Sequence, residues 1–274
     1  MSDSPTQQFD LARENERLRA ENATLQQKIQ ELTKSSNEYL QNVAHQLTAP
    51  LNAMKWNIEA LRNQAVPLAR KDNILSSLYS QGTILVHLIK NFALMSNLEA
   101  DLELGQFRDK PERVDAVRLA INLANDFQPQ AAEGEKRIDV DDSSFDRALG
   151  GRQILAVKNL IAQALSNLLE NAVKYSDLRS RIVISAVRVP FKEQEDGVGI
   201  RVSSTGLPLS GIEVEKLQQR GFRGVSARAK VPAGTGIGLY LASRIMALHQ
   251  GTIHITGRGR ESNFTLLFPP KRIS

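Results

Sequence analysis

The sequence predicts a multidomain chain: an N-terminal parallel coiled coil, an antiparallel helical hairpin that becomes a four-helix bundle in a dimer, and an α+β sandwich. Three observations predict it. Leu11, Leu18, Leu25 and Leu32 recur at heptad spacing. Two long apolar stripes of helical period follow, with one break between them. Beyond about residue 113, helical stretches alternate with short strands and the chain closes on a β-hairpin.

The heptads define residues 1–36 as the expected coiled coil, and Tyr39 continues the series. Four residues after each member lie Asn15, Asn22, Ile29, Ser36 and Val43. Leu at d with Asn at a weakens a zipper but fixes its register in a parallel pair. The alternative is a single amphipathic helix lying on its own domain; four unbroken heptads favour the coiled coil, and with it a homodimer. The apolar stripe runs on through Leu40, Val43, Leu47, Leu51, Met54, Ile58 and Leu61. After the break RNQAVPLARKD a second stripe takes in Ile74, Leu78, Leu85, Leu88, Phe92, Met95 and Leu98. Residues 37–100 are therefore a hairpin that cannot bury both stripes alone, whereas two copies can. Polar residues 101–112 (DLELGQFRDKPE) read as a linker. Within 113–274 the pattern predicts a helix over Asp115–Phe127, a strand near Arg137–Val140 and a long helix over Leu155–Tyr175. Strands over Arg181–Pro190 and Val198–Ser203 follow, then an irregular Gly- and Arg-rich stretch at 205–235, a helix over Ile237–His249 and a closing hairpin. Helices on one face of a mixed sheet are expected.

Composition narrows the function classes. Of 274 residues 41% are hydrophobic, ample for buried cores, and the 24% that are charged are ordinary for a globular protein. Aromatics at 5% argue against reading single-stranded nucleic acid by stacking. The absence of Cys removes disulfides, thiol nucleophiles, iron–sulfur clusters and zinc fingers, and fits a reducing cytoplasm. No apolar run is long enough to span a bilayer, and the polar start MSDSPTQQFD is not a signal peptide. A net charge of +5 suits an acidic partner such as a nucleotide phosphate or an acidic protein. Nucleic acid is not expected as a partner.

Four short blocks bear on chemistry. No Gly-Lys dipeptide occurs, which excludes a P-loop, and the four His (45, 87, 249 and 254) lack metal-ligand spacing. His45 stands beside the seam of Val43, Leu47 and Leu51, which turns it toward solvent, and Pro50 should bend the helix just beyond it. Asn167, Asn171 and Lys174 share one helix face, beside the apolar face of Ile161, Leu165, Leu168 and Ala172. Two Asn in a helix interior ask for a reason. A carboxamide oxygen suits Mg²⁺ shared with phosphates, and Lys174 offers those phosphates a point charge; a plain polar face is the alternative. The run Gly234-Thr235-Gly236-Ile237-Gly238-Leu239 opens a helix and would leave amide N–H groups exposed to an anion, or make a tight turn. Upstream, Gly221-Phe222-Arg223-Gly224 with Arg228 and Lys230 is either a basic lid or a solvated loop.

In this order and spacing the blocks resemble the sensor histidine kinases of two-component systems, over roughly residues 37–270. The resemblance implies a dimeric bundle that carries a phosphoacceptor His and an ATP-binding domain of the type shared with gyrase and a class of heat-shock chaperones. His45 matches the phosphoacceptor, with Gln46 beside it. Asn171 matches the Mg²⁺ ligand, and Asn167 the position that assists metal and water. Lys174, Tyr175, Ser204, Gly206, Arg223, Gly234, Thr235, Gly236, Gly238 and Leu239 match nucleotide-binding positions. The implied partners are a second copy, the receiver domain of a response regulator, and a sensor domain or sensor protein upstream.

Three positions depart from the pattern. The first glycine box usually reads Val-x-Asp-x-Gly-x-Gly, its Asp accepting from the adenine amino group; here Ser204 replaces the Asp and Pro208 the second Gly. A charge-assisted hydrogen bond contributes roughly 1.5–3 kcal/mol, so its loss costs about one to two decades of affinity. Gln46 stands where an acid usually orients the phosphoacceptor and takes its proton. Ala49 stands where members with phosphatase activity have Thr or Asn. The expected function is ATP-dependent autophosphorylation of His45 followed by transfer to an aspartate of a response regulator. The alternatives are a histidine phosphotransferase with a degenerate nucleotide site and a non-catalytic dimeric scaffold that binds a regulator.

Overall fold

The computed structural model describes residues 5–62, 67–104, 110–150, 152–191, 195–209, 211–231 and 236–270. Two compact units divide the chain, Met1–His45 and Gln46–Ser274. The described residues of the first, 5–45, are helical, part of α1 (Pro5–Arg62). No Gly or Pro interrupts residues 6–49, and Ala, Leu, Glu, Gln and Arg sustain the helix. Leu18, Leu25 and Ile29 of the heptad pattern are exposed in the single chain.

In the second unit α1 continues unbroken through Pro50. Helix α2 spans Leu68–Leu104, its first turn opened by the Pro67 carbonyl, which accepts from the amides of Arg70 (2.9 Å) and Lys71 (3.2 Å). Asn57 Nδ2 donates to Ser77 Oγ at 3.1 Å, and the two lie symmetrically about Pro67, the register of a hairpin. Helix α2 thus extends into the stretch expected as linker.

The α/β part begins with β1 (Glu112–Asp115), α3 (Ala116–Ala132), β2 (Arg137–Val140), α4 (Asp142–Leu149), β3 (Gln153–Ala156) and α5 (Lys158–Tyr175). It continues with β4 (Arg181–Phe191), β5 (Glu195–Thr205), α6 (Gly211–Val214), α7 (Val225–Lys230), α8 (Gly238–Leu248), β6 (Thr252–Arg258) and β7 (Glu261–Phe268). The five-stranded sheet has the order β2-β4-β5-β7-β6, with β2 parallel to β4 and the other pairs antiparallel. Ile182, Ile184 and Ala186 of β4 alternate with half-buried neighbours, whereas Val198 and Ile200 of β5 are buried together with Gly197 and Gly199, and Val202 lies between half-buried Arg201 and Ser203. Helix α3 lies against β2, α5 against β5 and β7, and α8 against β6 and β7, so the helices cover that buried face.

The helix expected over Leu155–Tyr175 needs correction. Its first two residues belong to β3, which pairs antiparallel with β1 from Glu112↔Ala156 to Asp115↔Gln153. Helix α5 starts only after Val157. The amide of Val157 donates to His249 Nε2 at 3.0 Å, and His249 Nδ1 lies 2.8 Å from the Ile245 carbonyl, which can only accept. Nδ1 therefore carries the proton, and both ring nitrogens of this fully buried His are used. The apolar run ILAV is compatible with either state; its partner strand, about 40 residues upstream, decides. Helix α4 was equally hidden: Asp141 caps it, accepting from the Ser144 amide at 3.2 Å, and Gly150 ends it at φ 65°.

Candidate functional site

A cavity of about 150 Å³, partly open to solvent, lies in the second unit at the C-terminal end of α5. Asn171, Lys174 and Tyr175 line it from one helix face, because positions three and four apart stack along the same side. Glu170 joins them: its carboxylate lies 2.5 Å from Lys174 Nζ, a salt bridge at helical i,i+4 spacing. Asn171 is half-buried, whereas Asn167, one turn earlier, is buried against the start of α8. A Cβ on Gly238 would meet Asn167 Oδ1 at 3.5 Å.

The second wall is the end of β5. Ser204 and its β7 partner Ser262 are both buried, and their hydroxyl oxygens are 3.2 Å apart. Two residues on, Gly206 runs so close to α5 that a Cβ there would sit 2.2 Å from the Tyr175 carbonyl oxygen. Only Gly allows that approach, which the Ser176–Gly206 bridge and the Leu207 amide, donating to Tyr175 O at 3.3 Å, hold in place.

The third wall is the segment before α8. Gly236 needs its missing side chain twice: its φ is 67°, and a Cβ would fall 2.7 Å from the Phe222 carbonyl oxygen. The Gly221 amide donates to Gly236 O at 3.2 Å, fastening the base of the lid to the start of α8. Arg223 Nη2 donates to Ala227 O (3.1 Å), to Tyr175 Oη (3.4 Å) and to Val231 O. Lys230 Nζ donates to the carbonyls of Tyr175 and Ser176, each at 2.9 Å, and lies 3.8 Å from Asp177. The basic lid is thus latched onto the C-terminus of α5, where carbonyls carry partial negative charge. Arg260, paired with both carboxylate oxygens of Asp177 at 2.6 and 2.7 Å, holds that carboxyl below its usual range, with Lys230 and Lys136 adding to the effect. Burial, and then Lys230, push the Lys136 ammonium down.

Helices α1 and α2 supply the fourth wall through Gln46, Leu88 and Asn91. Asn91 is buried, and its Oδ1 accepts from Gln163 Nε2 of α5 at 2.8 Å.

Of the residues expected at the site, the cavity gathers Gln46, Asn171, Lys174, Tyr175, Ser204, Arg223, Gly236, Gly238 and Leu239. Asn167 and Gly206 stand behind its walls. Gly234 and Thr235 lie outside the described residues. His45, in the first unit, is helical and exposed in the single chain. Glu170, Ser262, Leu88 and Asn91 were missed. Glu170 had a visible signal, four residues before Lys174 on the same helix; the other three depend on pairings between distant segments.

Residues 156–272 match the family described as histidine kinase-, DNA gyrase B-, and HSP90-like ATPase. The chain is 27% identical over 249 residues to the phosphate regulon sensor protein PhoR of Pseudomonas aeruginosa, covering 90% of this chain and 53% of PhoR. Similarity to the non-motile and phage-resistance protein of Caulobacter vibrioides is 30% over 276 residues, 96% of this chain and 30% of that protein. The sensor histidine kinase WalK of Bacillus subtilis is 26% identical over 245 residues, 86% of this chain and 37% of WalK. The chain spans about half or less of each of these curated relatives. Among solved structures, full-length ShkA in complex with AMPPNP shares the fold at a TM-score of 0.51 and 21% identity, over 83% of this chain and 44% of that one.

Proposed function

We propose, from the premise that residues 156–272 are an ATP-binding domain of the histidine kinase, gyrase B and HSP90 type in a chain related to sensor histidine kinases, that this protein is an ATP-dependent histidine autokinase. One observation carries the reading: a single cavity joins the Asn171–Tyr175 face of α5, the Arg223 lid and the glycine-lined start of α8. A triphosphate fits the end where Lys174, Arg223 and the N-terminus of α8 converge, because each places positive charge or amide hydrogens there. The adenine fits the uncharged end formed by β5 and β7.

Among the described residues no three His, Cys, Asp or Glu side chains group to hold a metal ion. The half-buried Asn171 carboxamide fits a Mg²⁺ that takes its remaining ligands from phosphate and water. When bound, that ion neutralises phosphate charge. The unprotonated ring nitrogen of His45 attacks the γ-phosphorus; the N–P bond forms as the bond to the β,γ-bridging oxygen breaks and ADP leaves. Gln46 can accept a hydrogen bond but no proton, so the imidazole proton goes to solvent. The phosphoryl group then passes to an aspartate of a response regulator. Residues 37–100 serve as the dimeric phosphoacceptor part and 113–274 as the ATP-binding part. Exposed Leu51, Ile58, Leu75, Val86 and Ile89 on α1 and α2 are the surface a second copy covers.

Incubation with γ-labelled ATP and Mg²⁺ should give acid-labile, base-stable phosphate on the wild type and none on His45→Ala. Labelling of His45→Ala at the wild-type level would remove His45 from the mechanism. Ser204 favours a second reading, a phosphotransferase without ATP use. Phosphate entering His45 from a phosphorylated receiver but never from ATP would establish that reading instead.

A further inference from the structure

We infer that the site accepts adenine and guanine nucleotides alike, because the hydroxyl pair of Ser204 and Ser262 reads the purine 6-position where a carboxylate would select adenine. The inference rests on the nucleotide-site reading above and concerns its base-recognition end.

The two hydroxyls lie on adjacent strands, directly opposite in register, and both line the cavity. Their residues are 6% and 7% exposed, so a base in contact with them meets these groups rather than bulk water. Phe264 and Leu209, which line the same wall, are apolar. The described residues that line this wall, Ser204, Leu207, Pro208, Leu209, Ser262 and Phe264, bear no charge. A carboxylate only accepts hydrogen bonds; it favours the 6-amino group of adenine and repels the 6-oxo group of guanine. A hydroxyl donates one hydrogen bond and accepts others.

At 3.2 Å the pair shares one hydrogen bond, and either oxygen can be its donor. When Ser204 donates to Ser262, the Ser204 lone pairs face the base and accept from an amino group. When Ser262 is the donor, the Ser204 proton is released toward the base and serves an oxo group. Ser262 Oγ is also 3.4 Å from the Ser204 carbonyl, so its proton has a second local acceptor. Reversing the polarity takes two hydroxyl rotations and no backbone movement. Strong discrimination between analogues arises when the wrong one leaves a buried polar group unpaired, and at the 6-position neither base does so.

The test is calorimetric titration of the 274-residue chain with ATP and GTP in Mg²⁺, on the wild type, Ser204→Asp and Ser204→Ala. Wild-type dissociation constants should agree within about tenfold. Ser204→Asp should shift the ratio toward ATP by about tenfold or more, by gaining an acceptor and repelling the 6-oxo group. Ser204→Ala, which buries no charge, should weaken both nucleotides by similar factors. A wild-type preference for either nucleotide beyond tenfold overturns the inference while leaving the nucleotide site intact. So does Ser204→Ala weakening one nucleotide only. Binding of neither nucleotide by the wild type overturns the nucleotide-site reading itself, and this inference with it.

Discussion

Asp177 shows how one residue ties the site to its surroundings. It follows α5 by two residues, pairs with Arg260 of the β6–β7 turn, and faces Lys230 of the lid. Its carboxyl is held below the ordinary 3.8, first by the Arg260 hydrogen bonds. A carboxyl depressed by folding contributes stability that is fully present above its unfolded value and is lost as pH falls through the lower folded value. Asp177→Asn should therefore lower the urea midpoint slightly at pH 7. The gap to wild type should close as pH falls through and below the ordinary carboxylate value. Urea titrations across that range check it; a gap unchanged at the acid end would show that the pairing carries none of the effect. Residues of this kind were only partly legible. Asn171, Lys174 and Tyr175 could be placed together because helical period alone sets their common face. Ser262 could not be linked to Ser204, 58 positions away, because the β5–β7 register joins strands that are not neighbours in sequence.

Among the elements, the start of α5 depends most on distant contacts. Val157, its flanking residue, has no capping side chain of its own. The buried Nε2 of His249, just past the end of α8, takes its amide hydrogen. His249→Leu keeps an apolar group of similar size but leaves that amide unpaired, at a cost of about 1–3 kcal/mol. A urea midpoint within error of wild type would contradict this account. The same junction explains why the predicted helix began too early. From sequence, ILAVKNLIAQAL is one apolar run, and its division into strand and helix is made by β1 on one side and His249 on the other. The glycine-rich lid was legible as basic, but neither its helix α7 nor its latch was, since Lys230 gives its hydrogens to the carbonyls of Tyr175 and Ser176, some 55 residues away.

At the scale of the whole molecule, the exposed apolar side chains of α1 and α2 predict a homodimer whose stability rises with protein concentration. Sedimentation should show dimers at micromolar concentration; a folded monomer there would contradict the bundle. The second stripe has a further use that period alone does not reveal. Leu88 and Asn91 of α2 form part of the cavity wall, and Asn91 is tied to Gln163 of α5. A ligand that fills the cavity and a force that moves α2 thus act on the same surface. Thermodynamic linkage then works in both directions: any displacement of α2 that changes nucleotide affinity by some factor is itself favoured or opposed by bound nucleotide by that same factor. The cavity and the helix are in this sense two handles on one equilibrium.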